Sequence, residues 1–137
     1  MKRWVLLSII AVIIVVASVM AVRNHVRSVA QKKREAAYQS ALQKYSQDLR
    51  PGLRRTEVEG YLRARNVSFS WIYTAFGGRR ESQYADIVKI GEEAAPWYCS
   101  EAYVYVAFEF SGGEKFKQDD SDLLERIEIF RPYTGCL

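Results

Sequence analysis

The sequence predicts an α+β chain tethered to a membrane, on three observations. From Trp4 to Val22 no residue is charged, and the run WVLLSIIAVIIVVASVMAV is nearly all aliphatic. Residues 23–65 then carry apolar positions at three- and four-residue steps, the spacing of helices. After Asn66 the period drops to two, in segments bounded by Gly, Pro, Asp and Ser. The expected order is a membrane anchor at 1–22, a juxtamembrane helix or stalk at 23–50, and a small α+β domain at 51–137.

As a helix, the anchor's uncharged run spans about 28 Å, close to the hydrocarbon thickness of a bilayer. Lys2 and Arg3 before an apolar run also describe a signal peptide, with Val19-Met20-Ala21 as a cleavage site. The run is longer than a signal core and Val22 continues it past that cut, so a retained single span is preferred. A cleaved, secreted binding protein is the alternative. Charge is split: residues 1–65 carry 13 Lys/Arg and 4 Asp/Glu, and residues 66–137 carry 7 and 12. The basic half flanks the anchor, where it suits a membrane surface, and the strand-rich half is acidic, which argues against nucleic acid as a partner.

Within the stalk, Val22, Val26, Val29, Ala30, Ala37, Ala41, Tyr45 and Leu49 form a thin apolar stripe, and RPG at 50–52 ends the helix. A second helix is expected in LRRTEVEGYLRAR, with Leu53, Val58, Tyr61 and Leu62 on one face. Strands are then expected at NVSFSWIY, at DIVKI (86–90), at 101–110 and at 123–131. GGRRES (77–82), GEEAAP (91–96) and SGGEKFKQDDSD (111–122) read as loops between them.

The two cysteines fix a register. If Cys99 faces Cys136 across an antiparallel hairpin, Val106 falls opposite Ile129, Phe108 opposite Ile127, Glu109 opposite Arg126 and Tyr105 opposite Phe130. Each is a favourable cross-strand pair, and a slip of one residue would send every side chain to the other face. A Cys99–Cys136 disulfide is therefore expected, stapling a domain with a small core. Such bonds persist outside the cytosol. Arg23, Arg27, Lys32, Lys33 and Arg34 after the anchor argue the opposite topology by the positive-inside rule. The disulfide and the short basic start are weighed above that count, giving an extracytoplasmic domain, periplasmic if the cell is bacterial.

Catalytic chemistry is poorly supplied. The single histidine, His25, lies in the stalk, so the domain has none for a Ser-His-Asp or Cys-His group. With two paired cysteines, a zinc site is equally hard to build. QDDSDLLE (118–125) lacks the alternating order of a calcium loop and reads as a solvated acidic hairpin tip. FGGRRES lacks P-loop spacing. No catalytic, cofactor or metal site is expected, and no small-molecule substrate. What remains is aromatic surface: Trp97 and Tyr98 before the third strand, and Tyr103, Tyr105 and Phe130 on one sheet face, form the candidate interaction surface.

The run LRPGLRRTEVEGYL (49–62), followed by strands, resembles the G-M-T-x-x-[EQ]-V-x-x-x-L opening of the SmpA/OmlA family of outer-membrane assembly lipoproteins. That family is related in fold to the β-lactamase-inhibitor proteins. Gly52, Leu53, Glu57 or its neighbour, Val58 and Leu62 take the matching places, while Arg54 stands where a capping Thr is usual and no lipid-bearing cysteine is present. The resemblance implies two short helices packed on one face of a three- or four-stranded antiparallel sheet, and a non-catalytic role binding other envelope proteins. The outline also resembles type IV pilins and pseudopilins, although the anchor has neither the Gly nor the Glu of their leader region. A membrane-anchored interaction or cell-envelope assembly module is thus the expected function, with a filament subunit as the alternative.

Overall fold

A computed structural model describes residues 2–75, 83–111 and 119–137, with side chains from Val12 onward. The GGRRES loop and most of the SGGEKFKQ loop lie outside the described residues. Helix α1 runs unbroken over Lys2–Asp48, as the lack of Gly and Pro before Pro51 allows. The chain divides into two units, residues 1–37 and Tyr38–Leu137.

In the first unit the described apolar side chains from Val12 to Val22 are all exposed, on a helix long and apolar enough to cross a bilayer. Ser18 Oγ donates to the Ile14 carbonyl at 2.8 Å, which satisfies that hydroxyl within the helix itself.

The second unit contains the end of α1, α2 (Arg55–Ala64) and the strands β1 (Ser70–Thr74), β2 (Gln83–Glu93), β3 (Glu101–Ser111), β4 (Leu123–Phe130) and β5 (Tyr133–Thr134). The sheet is antiparallel in the order β1-β2-β3-β4, and β5 pairs with β3 beyond the end of β4. Tyr105 lies opposite Phe130, Val106 opposite Ile129, Phe108 opposite Ile127 and Glu109 opposite Arg126, the register that the cysteines imply. The same register runs on through Ala102–Tyr133 and Glu101–Thr134 to the Cys99–Cys136 disulfide. Toward the other end it shifts by one between Glu109 and Phe110, where a bulge interrupts the ladder.

The chain leaves α1 at Leu49, whose N–H donates to Tyr45 O at 2.8 Å. Gly52, at φ +92°, reverses its direction, and residues 52–54 lie beside the start of β4: Gly52 N–H donates to Leu124 O and Leu124 N–H to Leu53 O, each at 2.7 Å. Glu57, at the third helical position, accepts the Arg54 N–H at 2.7 Å, the half of a capping box that runs from the helix back to the cap. Asn66, at φ 55°, ends the helix in the left-handed region and lets Val67 N–H reach Leu62 O at 3.0 Å.

One core forms where both helices cover one sheet face. Leu49, Val58 and Leu62 meet Val88, Val106, Phe108, Phe110 and Leu124, with Leu42, Tyr45, Tyr61, Val67 and Phe69 at its margin. Tyr45 sets its ring edge-on to Phe108, 5.3 Å between centroids. The last turns of α1 therefore belong to the second unit, which begins at Tyr38. Tyr38 is buried because Gly91 leaves room for it: a Cβ at 91 would lie 2.6 Å from Tyr38 Cε1.

Two strands differ from expectation. β2 is longer, running through Gly91 to Glu93, because a bulge between Lys89 and Gly91 lets pairing with β3 resume after the irregularity. β1 is shorter, and Val67 and Phe69 pack on the core ahead of the first paired residue, Ser70.

Candidate interaction surface

On the sheet face away from the helices an apolar cluster lies beside the buried carboxylate of Glu109. Ala85, Ile87 and Ala107 are buried there, and Ile72, Tyr105 and Phe130 pack against them while remaining half-buried. Register explains the grouping: Ile72 pairs with Ala85, Ile87 with Ala107, and Tyr105 with Phe130. Tyr103, two residues along β3, shares this face and sets its ring 6.2 Å from that of Tyr105. The β2 bulge brings Lys89 and Glu92 to the same side. Their charges meet at 2.5 Å, and Lys89 Nζ sits 3.9 Å from the Tyr103 ring centroid. The hydrogen bond from Lys89 to Glu92 raises the lysine's pKa, and one between Tyr103 and Glu101 raises that of the phenol. This end of the face is thus a tyrosine pair edged by an ion pair, apolar in its body and polar at its rim.

Trp97 and Tyr98 sit elsewhere, in the β2–β3 connection, where Cys99 N–H donates to Pro96 O at 2.9 Å. Their rings pack edge-to-face at 5.7 Å. Of the five candidate residues, then, Tyr103, Tyr105 and Phe130 share a sheet face, and Trp97 and Tyr98 form a separate pair beside the disulfide.

The acidic tip differs from the solvated cluster expected of it. Asp122 is buried, and its carboxylate accepts the Asp119 N–H at 3.1 Å, while Asp119 Oδ1 accepts the Ser121 N–H and hydroxyl at 2.8 and 2.6 Å. Those carboxylates close a turn. Among the described residues no group of three His, Cys, Asp or Glu is placed to hold a metal.

A buried ion pair joins α2 to β2. Arg55, the first residue of α2, donates through Nη2 to Asp86 Oδ1 on β2, and through Nε to Glu59 Oε1 at 3.2 Å. Its guanidinium also lies 5.0 Å from the Phe110 ring centroid. Arg55 and Asp86 are 2% and 1% exposed, and neither Arg55 Nη1 nor Asp86 Oδ2 has a hydrogen-bond partner among the described residues. Burial pushes the Asp86 carboxyl up to about 6, with Arg55 pulling the other way. One signal was available: Asp86 alternates in phase with Val88, which puts a carboxylate on the core face of its strand.

Searches of family models, curated proteins and solved structures find no match to this chain.

Proposed function

We propose that this chain is a single-span, membrane-anchored binding module of the cell envelope, with its α+β unit outside the cytoplasmic membrane and no chemistry of its own. One observation carries the reading. The helices pack on one sheet face, and the other presents half-buried Ile72, Tyr103, Tyr105 and Phe130 over an apolar cluster. Tyrosine-rich faces of this kind, apolar in the middle and polar at the rim, suit protein partners. The Cys99–Cys136 disulfide supports the compartment, and the apolar helix supports the anchor. The likeness of residues 49–62 to the SmpA/OmlA opening makes another envelope protein the expected partner.

The test places a photoreactive amino acid at 103, 105 or 130, with position 57 on α2 as control, and irradiates cells expressing the full chain. A discrete adduct from the sheet positions and none from 57 is expected. No adduct from any sheet position, or equal adducts from 57, refutes the reading.

A filament-subunit reading draws on a different observation: α1 is one unbroken helix whose last turns are built into the sheet's core. It requires removal of a leader, so an N-terminal sequence that starts inside the apolar segment would favour it.

A further inference from the structure

The disulfide end of the sheet has a composition of its own. Residues 94–100 and 132–137 carry no Asp, Glu, Lys or Arg, in a chain that is 26% charged. Among the described residues of the second unit outside β1 they hold the most exposed aromatic side chains: Trp97 is 91% exposed, Tyr133 55% and Tyr98 45%. Backbone bonds on both sides of the disulfide tie the two segments together, Ser100 N–H to Thr134 O at 3.0 Å and Leu137 N–H to Tyr98 O at 2.9 Å. Gly135, at φ +61°, lets the strands close, since a Cβ there would fall 2.6 Å from Ser100 Oγ. An exposed tryptophan on a tip held this way loses little freedom on binding.

The same end receives the chain from the apolar segment. Tyr38, the first residue of the unit, reaches the Glu92 carbonyl with its hydroxyl at 3.4 Å and lies under the Arg131 guanidinium. Arg131 in turn meets Glu93 at 3.4 Å, one pair away from the β5 residues. Only residues 23–37 join Tyr38 to the apolar segment, about 22 Å as helix. Whatever angle that tether takes, this is the end of the unit to which the apolar segment is joined.

We infer that the tip formed by Trp97, Tyr98 and Tyr133 docks in the headgroup region of the membrane that holds the anchor. Tryptophan and tyrosine concentrate at that interface because one end of each ring system is apolar and the other hydrogen-bonds water. An uncharged loop pair loses no ion hydration on arriving there. The sheet face of Tyr103, Tyr105 and Phe130 is a different surface and stays available to a protein partner.

The test uses the full chain in phosphatidylcholine vesicles, with and without bromine on the acyl chains near the headgroup. Trp97 reports alone in a Trp4→Phe, Trp71→Phe variant; Trp71, exposed on β1, reports alone in a Trp4→Phe, Trp97→Phe variant. Trp97 emission is expected to fall severalfold in brominated vesicles, with Trp71 nearly unchanged. Unquenched Trp97 overturns the inference, and so does equal quenching of Trp71. A blue shift of Trp97 without bromine quenching also overturns it, because a second protein copy, not lipid, would then cover the ring. Should the double variants not fold, Trp97→Phe alone decides: its difference from the natural chain must carry the same bromine quenching.

Discussion

Replacing Asp86 by alanine removes half of the ion pair that α2 buries against the sheet. The two side chains are almost wholly excluded from water, so the deletion strands the Arg55 guanidinium, a defect that costs about 3–5 kcal/mol. Glu59 still accepts from Arg55 Nε, which puts the expectation at the lower end, about 3 kcal/mol. Domains of this size have about 5–15 kcal/mol in total, so the loss is severe without abolishing the fold. Urea unfolding of the full chain in detergent, disulfide intact and followed by tryptophan fluorescence, measures it. With a slope of about 1–3 kcal/mol per molar, the midpoint should drop by at least ~1 M. The double variant Arg55→Met, Asp86→Leu removes both charges and should recover most of the loss. Acid adds an independent check. The folded state holds the Asp86 proton more tightly than the unfolded chain does, about 6 against 3.8. Its contribution is therefore fully present below about 4 and fades as the pH rises through about 6. Asp86→Asn should flatten stability across that window. A cost under ~1 kcal/mol for Asp86→Ala, or a double variant as damaged as the two single ones summed, would refute the reasoning.

Gly60 lies in α2 with open space where a Cβ would be, so Gly60→Ala should stabilise by about 1 kcal/mol in the same urea assay. Gly91→Ala should do the reverse, by about 1–3 kcal/mol, since the Cβ would collide with the buried Tyr38 ring. Phe108→Ala empties the centre of the core and should cost about 3–5 kcal/mol. Opening the Cys99–Cys136 loop by Cys→Ser at both ends should lower stability by up to about 4 kcal/mol, with hydrogen-exchange protection at Ala102 and Tyr133 lost before that at Val106 and Ile129. Thiol labelling of denatured protein from its native membrane, with and without reductant, checks the bond itself; labelling only after reduction is expected.

Much of the fold was legible from residues 99–136 alone. A period of two fixes which side chains share a face, and a covalent partner at each end of the hairpin leaves one register that pairs Val106 with Ile129 and Glu109 with Arg126. The apolar helix was legible for a similar reason, since nineteen uncharged residues are a local property of the chain. The sharing of one face by Tyr103, Tyr105 and Phe130 followed from the same alternation.

The remaining features depend on residues far apart in the chain. That α1 is buried as far back as Tyr38 rests on that ring meeting Gly91, and neither residue announces the other in the sequence. The burial of Arg55 with Asp86 depends on where α2 lies over β2, and from sequence an Arg at a helix start reads as solvent-facing. Asp122 became a buried cap because the turn folds back onto it. Alternation and hydropathy act between neighbours along the chain, so the sequence by itself determined the apolar helix and the register of the β3–β4 hairpin. Which charges lie in the dark, and which aromatic rings remain in view, was decided only when the helices settled on one face of the sheet.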